Sequence, residues 1–464
     1  MQEMRVSKFG GSSVANAAQI KKVCDIIARN DKRRIVVVSA PGRSTVGEEK
    51  VTDHLLNIAT QGTHFLDQRK DISPEDSKTA VLSKFSSIAK DLKVNADGIL
   101  DSLKADLECD LEGDRRVAFL ASRGERTNAQ IIALYLNSIG MAAEVQLPED
   151  IGLLVSNTYL DAKVEEPAYA KINAALKTSE KKNGKTNGRG LIHVFPGYYG
   201  ITKKKEIAVF SRGGSDLTGG ELAYAIDAEL YENWTDVSGV FEVDPRVIQE
   251  ARVIPRLTFK EIRLLSSKGF NVFHLDAMLK CKARKIPINI RNTNRPDDPG
   301  TLILNERVPE EGVVGIARLD NMAYIYIEKD MLGEEIGFTA ELLRIFGEFG
   351  VNTYHYPTDK DDIAVLVEKD DLRGNINELR RAIDKRLKPD FMNIVYNLSI
   401  LTPVGHGLHG NSYPIVDAIH ALGEEHIPLE LLDQSPSQIC FHVGVNQSVA
   451  DDALKILYNT LIQR

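Results

Sequence analysis

Four consecutive β-branched residues, Ile35 to Val38, fill the stretch "RRIVVVSA" with no polar residue among them. A strand with one wet face alternates apolar and polar side chains. A strand that is apolar on both sides has to be covered on both faces. Such strands belong to parallel sheets whose crossover helices pack on each face. The flanking sequence supplies the other parts. "MRVSKF" reads as a strand, and the segment after it carries Ile20, Val23, Cys24 and Ile27 along one helical face. "RVAFLAS", ending at Ser122, reads as a further strand, followed by a helix with Ile131, Tyr135 and Ile139 in register. "GLIHVF" and "EIAVF" read as two more, and the expectation is a mostly parallel sheet between helical layers.

A polar, helix-rich segment at about residues 52–111 reads as an insertion. The stretch "KTSEKKNGKTNGRG", Lys177 to Gly190, reads as a mobile surface loop. Its "NGKT" is no P-loop, because Ser179 stands where the leading glycine is needed. Past "NTNRPDDPGTLI" the pattern changes. A strand, a helix, two strands and a helix run to about Leu387, and the same order then repeats from "NIVYNLSIL". Two βαββα units make an internal repeat. The second lacks a closing strand and a spare one, Gly312 to Arg318, precedes the first, so the units are expected to share strands. The boundaries expected are 1–304 for the first domain, 305–390 for the second and 391–464 for the third.

Length and charge narrow the function. A chain of 464 residues has room for two or three domains. Its net charge of -8 argues against nucleic acid or an anionic membrane as the main partner. The run Lys203-Lys204-Lys205 reads as a solvated turn. Four cysteines without a C-x-x-C pair suggest neither a disulfide framework nor a zinc site and suit a reducing cytoplasm. The sequence "MQEMRVSKFGG" lacks the regions of a signal peptide, and no apolar run approaches the ~20 residues of a membrane helix.

Three glycine and acid motifs carry chemistry. In "KFGGSS", Lys8 ends a strand and Gly10 and Gly11 leave backbone bare before a helix. Such a turn is either packing or a phosphate cradle. "VFSRGGSDLTGGELAYA" repeats the arrangement, with Leu222, Ala225 and Ile226 facing inward. Two such turns in one parallel sheet can face each other at the carboxyl ends of its strands. There Arg212 can hold a carboxylate or phosphate with paired hydrogen bonds, and Asp216 can order a lysine or Mg2+. In "WTDVSGVFEVDPR", Thr235, Asp236, Asp244 and Arg246 could line a nucleotide pocket. In "SRGERTNAQ", Glu125 reads as a first-turn helix residue just after a strand. "PVGHGLHGNS" contains G-x-G-x-x-G at Gly405, Gly407 and Gly410, but inside the small repeat, so a dinucleotide site is rejected.

Together these motifs resemble those of the aspartokinases along the whole chain. "KFGGSS" is similar to their K-F-G-G-T-S, with Ser12 for threonine; "SRGGSD" and "WTDVSGVFEVDPR" match closely. The repeat, including "MLGEEIGF", looks like their paired ACT regulatory domains. The resemblance implies a three-layer αβα amino-acid-kinase sandwich followed by two α+β ferredoxin-like ACT domains. It implies transfer of phosphoryl from ATP, with Mg2+, to the β-carboxylate of L-aspartate. This would be the first step toward lysine, threonine and methionine, inhibited by an end product. Lys8 would stabilise the transferring phosphoryl and Asp216 would organise Lys8 and magnesium. Ser39, Thr52, Glu125, Arg212 and Ser215 would hold aspartate, Glu125 at its ammonium and Arg212 at its α-carboxylate. Lys8, Gly10, Gly11, Ser12, Thr235, Asp236, Phe241, Arg246, Asn271 and Val272 would line the nucleotide site. Phe241 stands where tyrosine is common and Asn271 where "GAKVLHP" would place a lysine. Met331, Gly333 and Phe338 would meet the effector, lysine or threonine, and the ACT regions would pair subunits into a homodimer or homotetramer. A β-carboxylate with a reference pKa near ~3.9 is ionised at neutral pH, so no general base is needed. A glutamate-specific kinase and an amino-acid-sensing protein with a decayed kinase site are the competing readings. One methylene distinguishes the two substrates, and it is worth only ~1–3 kcal/mol in a pocket.

Overall fold

The computed structural model describes residues 4–63, 72–183, 190–211, 213–267, 275–308 and 312–463. The chain divides into two units: Met1–Val240 with Val253–Lys260 and Asn271–Arg307, and Phe241–Arg252 with Glu261–Phe270 and Val308–Arg464.

Through the first unit run strands β1 (Arg5–Phe9), β2 (Arg33–Val38), β3 (Ala143–Val145), β4 (Ile192–Pro196), β5 (Tyr199–Ile201), β6 (Ile207–Val209), β7 (Leu230–Thr235), β8 (Arg256–Thr258), β9 (Ile288–Asn292) and β10 (Thr301–Leu304). Eight form one sheet in the order β3-β4-β2-β1-β7-β9-β10-β8. Pairing is parallel from β3 across to β9, and β10 runs antiparallel to β9. Ile35 to Val38 are buried, as an all-apolar strand in such a sheet must be.

The helices are α1 (Ala17–Ala28), α2 (Val51–Ala59), α3 (Pro74–Leu92), α4 (Asp97–Leu107), α5 (Gly113–Ser138), α6 (Pro148–Ile151), α7 (Pro167–Asn183), α8 (Gly214–Ile226), α9 (Phe259–Ser267) and α10 (Leu275–Ala283). One apolar core joins α1 through α5 to Phe9, Val36, Val38 and Val194 of the sheet. Helix α8 packs on the other side. A Cβ on Gly219 would stand 2.6 Å from the Tyr231 hydroxyl, and one on Gly220 would stand 2.5 Å from the Ala277 carbonyl oxygen of α10. The result is three layers, helix, sheet and helix.

Four local expectations are corrected. "RVAFLAS" is no strand but the first half of the 26-residue helix α5. It is apolar on most sides because it lies between layers, and a short apolar run has no period that tells strand from helix. Ile139 falls just past the end of α5 and is exposed. "EIAVF" contributes β6, which pairs only with β5 in a separate two-stranded ladder, turned by the exposed residues Lys203 to Lys205. Lys177–Asn183 of the presumed loop continue α7, while residues 184–189 lie outside the described residues.

The second unit follows the doubled order: β11 (Gly315–Glu328), α11 (Phe338–Glu348), β12 (Thr353–His355), β13 (Asp362–Glu368), α12 (Ile376–Leu387), then β14 (Phe391–Val404), α13 (Tyr413–Glu424), β15 (Leu431–Gln434), β16 (Phe441–Asn446) and α14 (Ala450–Leu461). "GVVGIAR" and "MAYIYIE" are parts of one long strand, β11, rather than two. It pairs along its length with β14 in a six-stranded antiparallel sheet of order β12-β13-β11-β14-β16-β15. Residues Gly315 to Leu319 of β11 pair with Ile400 to Val404 of β14, in the second repeat. Gly405 of the G-x-G-x-x-G is a packing glycine: a Cβ there would lie 2.4 Å from the Gly312 carbonyl oxygen.

Candidate active site

The centre of the sheet is tied below the site by one buried carboxylate. Glu232 of β7 accepts from Arg33 of β2 at 2.7 and 3.0 Å, from Ser7 of β1 at 2.8 Å and from the Trp234 indole at 3.2 Å. Burial works to raise this carboxyl, but Arg33 and the hydrogen bonds hold it below its ordinary value. Three strands are thereby registered against each other, and Lys8 of β1 lies opposite Val37 of β2 and Asn233 of β7.

At the carboxyl ends of these strands the chain makes its glycine turns. Gly10 donates to the Trp234 carbonyl at 3.0 Å, and a 3-10 turn, Gly11–Val14, precedes α1. Gly10 and Gly11 have different reasons to be glycine. A Cβ on Gly11 would meet the Ala40 carbonyl oxygen at 3.1 Å, and one on Gly42 would meet the Gly11 carbonyl carbon at 2.8 Å. This is close packing of two turns. A Cβ on Gly10 would instead face the Lys8 ammonium at 3.5 Å, so its absence leaves the space over Lys8 clear.

Lys8 and Asp216, 208 positions apart in sequence, meet here: Nζ lies 2.6 Å from Oδ1, with both side chains largely buried. The second glycine turn follows the β5–β6 ladder rather than a strand of the parallel sheet, yet α8 still brings its first turn over β1. Asn233 donates to Asp216 Oδ1 at 3.0 Å, while its own buried Oδ1 has no hydrogen-bond partner among the described residues. Ser215 fits because residue 197 is glycine: a Cβ on Gly197 would stand 2.6 Å from the Ser215 hydroxyl. Gly197 in turn donates to Val38 at 2.9 Å, at the end of β2.

Glu125 is not in a first helical turn but mid-way along α5, buried. Gly124 before it lets α5 press on the strand end, since a Cβ there would lie 2.6 Å from the Ala40 Cβ. The adjacent arginines are engaged elsewhere, Arg123 by Asp106 at 2.9 Å and Arg126 by Glu149. Among the described residues Glu125 Oε2 has no hydrogen-bond partner, and burial pushes the carboxyl up to about 8 against the opposing Ala40 and Glu125 amides. Tyr198 connects it to α8. Its ring packs where a Gly214 Cβ would lie 2.5 Å away, and burial, with the Glu125 charge, pushes its phenol up to about 12. Ser39 is held through its carbonyl by Asn128 of α5 at 2.7 Å. Thr52 is in the first turn of α2, next to Val51, which packs against Gly124.

Thr235 donates to Asp236 at 3.1 Å, and Thr293 donates to the Thr235 carbonyl at 2.9 Å. Ser13 bonds Thr293 at 2.7 Å, which ties this strand end to the first glycine turn. Phe241 and Arg246 belong to the second unit. Phe241 is half-buried against its core, and exposed Arg246 is bonded to both oxygens of Asp244 at 2.7 to 3.1 Å. Arg212, Asn271 and Val272 lie outside the described residues. In the second unit, Met331 is exposed, Gly333 donates to Lys360 at 2.7 Å, and Phe338 is buried in the core against α11 and α12. Asn233, Tyr198, Gly42 and Gly197 escaped sequence reasoning. The signal available for three of them was a polar residue inside a buried strand, Asn233 of "YENW", and the turn "PGYYG", which holds Gly197 and Tyr198.

The residues present fit a nucleotide and an amino acid. Lys8 meets anionic oxygens, the space above Gly10 admits them, and the unpartnered Glu125 Oε2 and Asn233 Oδ1 are buried acceptors that want donors.

Residues 3–292 match the model of the "Amino acid kinase family". "Aspartokinase 3" of Bacillus subtilis is 34% identical over 462 residues, 98% of either chain. "Aspartokinase 1, chloroplastic" of Arabidopsis thaliana is 26% identical, over 99% of this chain and 80% of its own. The crystal structure of Clostridium acetobutylicum aspartate kinase superposes with a TM-score of 0.86 at 32% identity, covering 99% and 100% of the two chains. E. coli aspartokinase III, solved with lysine and aspartate, shares the fold at 20% identity and a TM-score of 0.75, over 99% and 100%. The chain belongs to the amino acid kinase family, and within it to the aspartokinases. Its activity is phosphorylation of aspartate by ATP. Among the described residues no helix is long and apolar enough to cross a membrane.

Proposed function

We propose that the enzyme moves the γ-phosphoryl of ATP onto the β-carboxylate of L-aspartate, making 4-phospho-L-aspartate for the lysine, threonine and methionine branches. The observation that supports the assignment of the site is the Lys8–Asp216 pair at the strand ends, taken with the buried Glu125 carboxyl, whose Oε2 has no hydrogen-bond partner among the described residues. Glu125 takes the α-ammonium of aspartate, and Arg212 its α-carboxylate. Ser39, Thr52 and Ser215 complete that half of the site. Lys8 faces the transferring phosphoryl, Asp216 orients Lys8, and Gly10, Gly11 and Ser12 border the phosphates. Thr235, Asp236, Phe241, Arg246, Asn271 and Val272 are assigned to the nucleotide. Asp216 is the residue that would help hold Mg2+ arriving with the phosphates, and the ion would supply positive charge to neutralise them. The chemistry is alignment and charge neutralisation, because the attacking carboxylate is already ionised.

The doubled βαββα unit is assigned to feedback control by lysine or threonine, with dimers or tetramers formed through it. Met331, Gly333 and Phe338 are assigned to the effector; of these Met331 is exposed and Phe338 lies in the core. Trapping the acyl phosphate with hydroxylamine tests the reading. ATP, Mg2+ and aspartate should give hydroxamate, less of it with added lysine or threonine. Product from glutamate alone would refute the assignment.

A further inference from the structure

The six-stranded sheet of the second unit has β12 and β15 at opposite edges. In a flat sheet five strand spacings would separate them by about 24 Å. Yet His355 Nε2 of β12 lies 3.4 Å from Asp433 Oδ2 of β15, and the His355 and His442 rings are 5.7 Å apart. The sheet is folded over on itself. The bend falls where the long strands lose register. In β11 this is between Leu319 and Met322, with Asn321 at φ 60°; in β14 it is at Asn397, φ 59°. Both are positive-φ asparagines, the residue type that best tolerates that conformation after glycine.

Folding turns the helix-free face into the inside of a cleft. Met322, Leu366, Leu398 and Ile400 are buried on that face. Beside them is a cavity of about 220 Å³, bordered by Tyr324, Tyr326 and Ala364 of one half and Glu430 and Leu431 of the other. That is the room of about seven water molecules, in walls that are mostly apolar. Its polar groups are unequal. The Tyr326 hydroxyl is already engaged by Glu328 at 2.8 Å. Glu430 is exposed at the edge of the cavity and has no ion-pair partner among the described residues; after burial, its charge adds to the raising of the Tyr324 phenol.

We propose that this cavity is a binding site for a small apolar amine. Its protonated nitrogen pairs with Glu430 and faces the Tyr324 and Tyr326 rings, and its branched or aromatic body lies on Ala364, Leu366 and Leu431. A carboxylate of the same shape is disfavoured by Glu430, the one acidic group among the described residues that line the cavity; His355, which also lines it, faces Asp433 at 3.4 Å. The site lies on the opposite face of the sheet from Phe338 and the core beneath α11, and it does not depend on which amino acid regulates the enzyme.

The test uses the full chain with 3-methylbutylamine and 2-phenylethylamine as probes and 3-methylbutanoate as control, read by calorimetry and by the shift in Tm. The amines should bind with Kd below about 10 mM and the carboxylate should not. Glu430→Gln should weaken amine binding about threefold, as expected for an ion pair at the cavity edge, and Ala364→Phe, which fills the cavity, should abolish it. Both variants should phosphorylate aspartate at the parent rate without amine. Binding of the carboxylate as tightly as the amine, amine binding untouched by Glu430→Gln, or no binding by the parent chain overturns the proposal.

Discussion

Glu125→Gln isolates the buried carboxyl that the proposed aspartate ammonium would meet. In the ligand-free chain, burial carries this group from 4.5 to about 8. The displacement corresponds to about 5 kcal/mol in favour of the protonated form. An ammonium placed ~4 Å away at an effective dielectric near ~20 supplies about 4 kcal/mol in the other direction, enough to return the carboxyl close to its ordinary range. Aspartate binding at about pH 7 must then expel about 0.9 proton, and above about pH 9 almost none. Calorimetry in two buffers of different ionisation enthalpy measures that number. In steady state, kcat/KM for aspartate should rise by close to tenfold per pH unit from about pH 5 and level off above about 8. The glutamine variant should lose both the proton release and the rise, with aspartate KM increased about 100-fold. Stability has the opposite slope. The folded chain holds a proton that the unfolded chain has lost between 4.5 and about 8, so the unfolding free energy falls as pH climbs through that window. Glu125→Gln should flatten this decline. Aspartate binding at about pH 7 without buffer-dependent heat, or a glutamine variant that keeps the pH rise, refutes the reasoning.

Lys8→Ala should lower kcat by about a thousandfold in an ADP-release assay, and turnover at the parent rate would remove its role. Asn233→Ala, which takes one donor from Asp216 and leaves its pair with Lys8, should reduce kcat about tenfold with aspartate KM nearly unchanged. Asn233→Asp, which sets a second carboxyl against Asp216, should move the acid limb of the pH-rate profile upward. The two turn glycines should separate cleanly. Gly11→Ala should destabilise the fold by about 1–3 kcal/mol in urea titration, whereas Gly10→Ala should keep the urea midpoint and weaken ATP binding. Arg246→Ala should leave Tm unchanged, since its pair with Asp244 is at the surface, and an unchanged KM for ATP would strike it from the nucleotide site.

The parts of this molecule legible in the sequence are those whose cause is local. Ile35 to Val38 announce a doubly covered strand, and the glycine turns announce themselves by composition. The doubled order of the second unit survives because each helix carries its own apolar stripe, such as Phe338, Leu342 and Phe346. The parts that misled are those whose cause is distant. "RVAFLAS" is apolar all round because two layers enclose it, and that enclosure is a property of the assembled sheet. The sequence alone therefore points to a helix-start residue at Glu125, where the fold has a buried carboxyl mid-way along α5. The β5–β6 ladder looked like more parallel sheet because three-residue strands carry no mark of their partner. Asn233 is an unremarked polar residue in a strand until α8 brings Asp216 onto it at 3.0 Å.

The cation at the tip of β1 raised a choice between packing and anion binding, and the geometry divides the answer between two adjacent glycines. Gly11 is explained by its contact with Gly42, which any tight pair of turns would require. Gly10 is not, because the atom nearest the missing side chain is the Lys8 ammonium itself, at 3.5 Å. Yet Lys8 alone does not make an anion site, since Asp216 already offsets its charge at 2.6 Å. A phosphate brought to ~4 Å of that pair gains about 4 kcal/mol per charge from Lys8 and is opposed by a comparable amount from Asp216 at an effective dielectric near ~20. The balance turns attractive when a second positive charge lies beside Asp216. The carboxylate then serves two cations at once, holding Lys8 in place while no longer repelling the phosphate. In the proposed site, an acid set against Lys8 would leave the free site nearly neutral and would make nucleotide binding depend on the metal that accompanies the phosphates, which is the physical argument for Mg2+ in the proposed reaction.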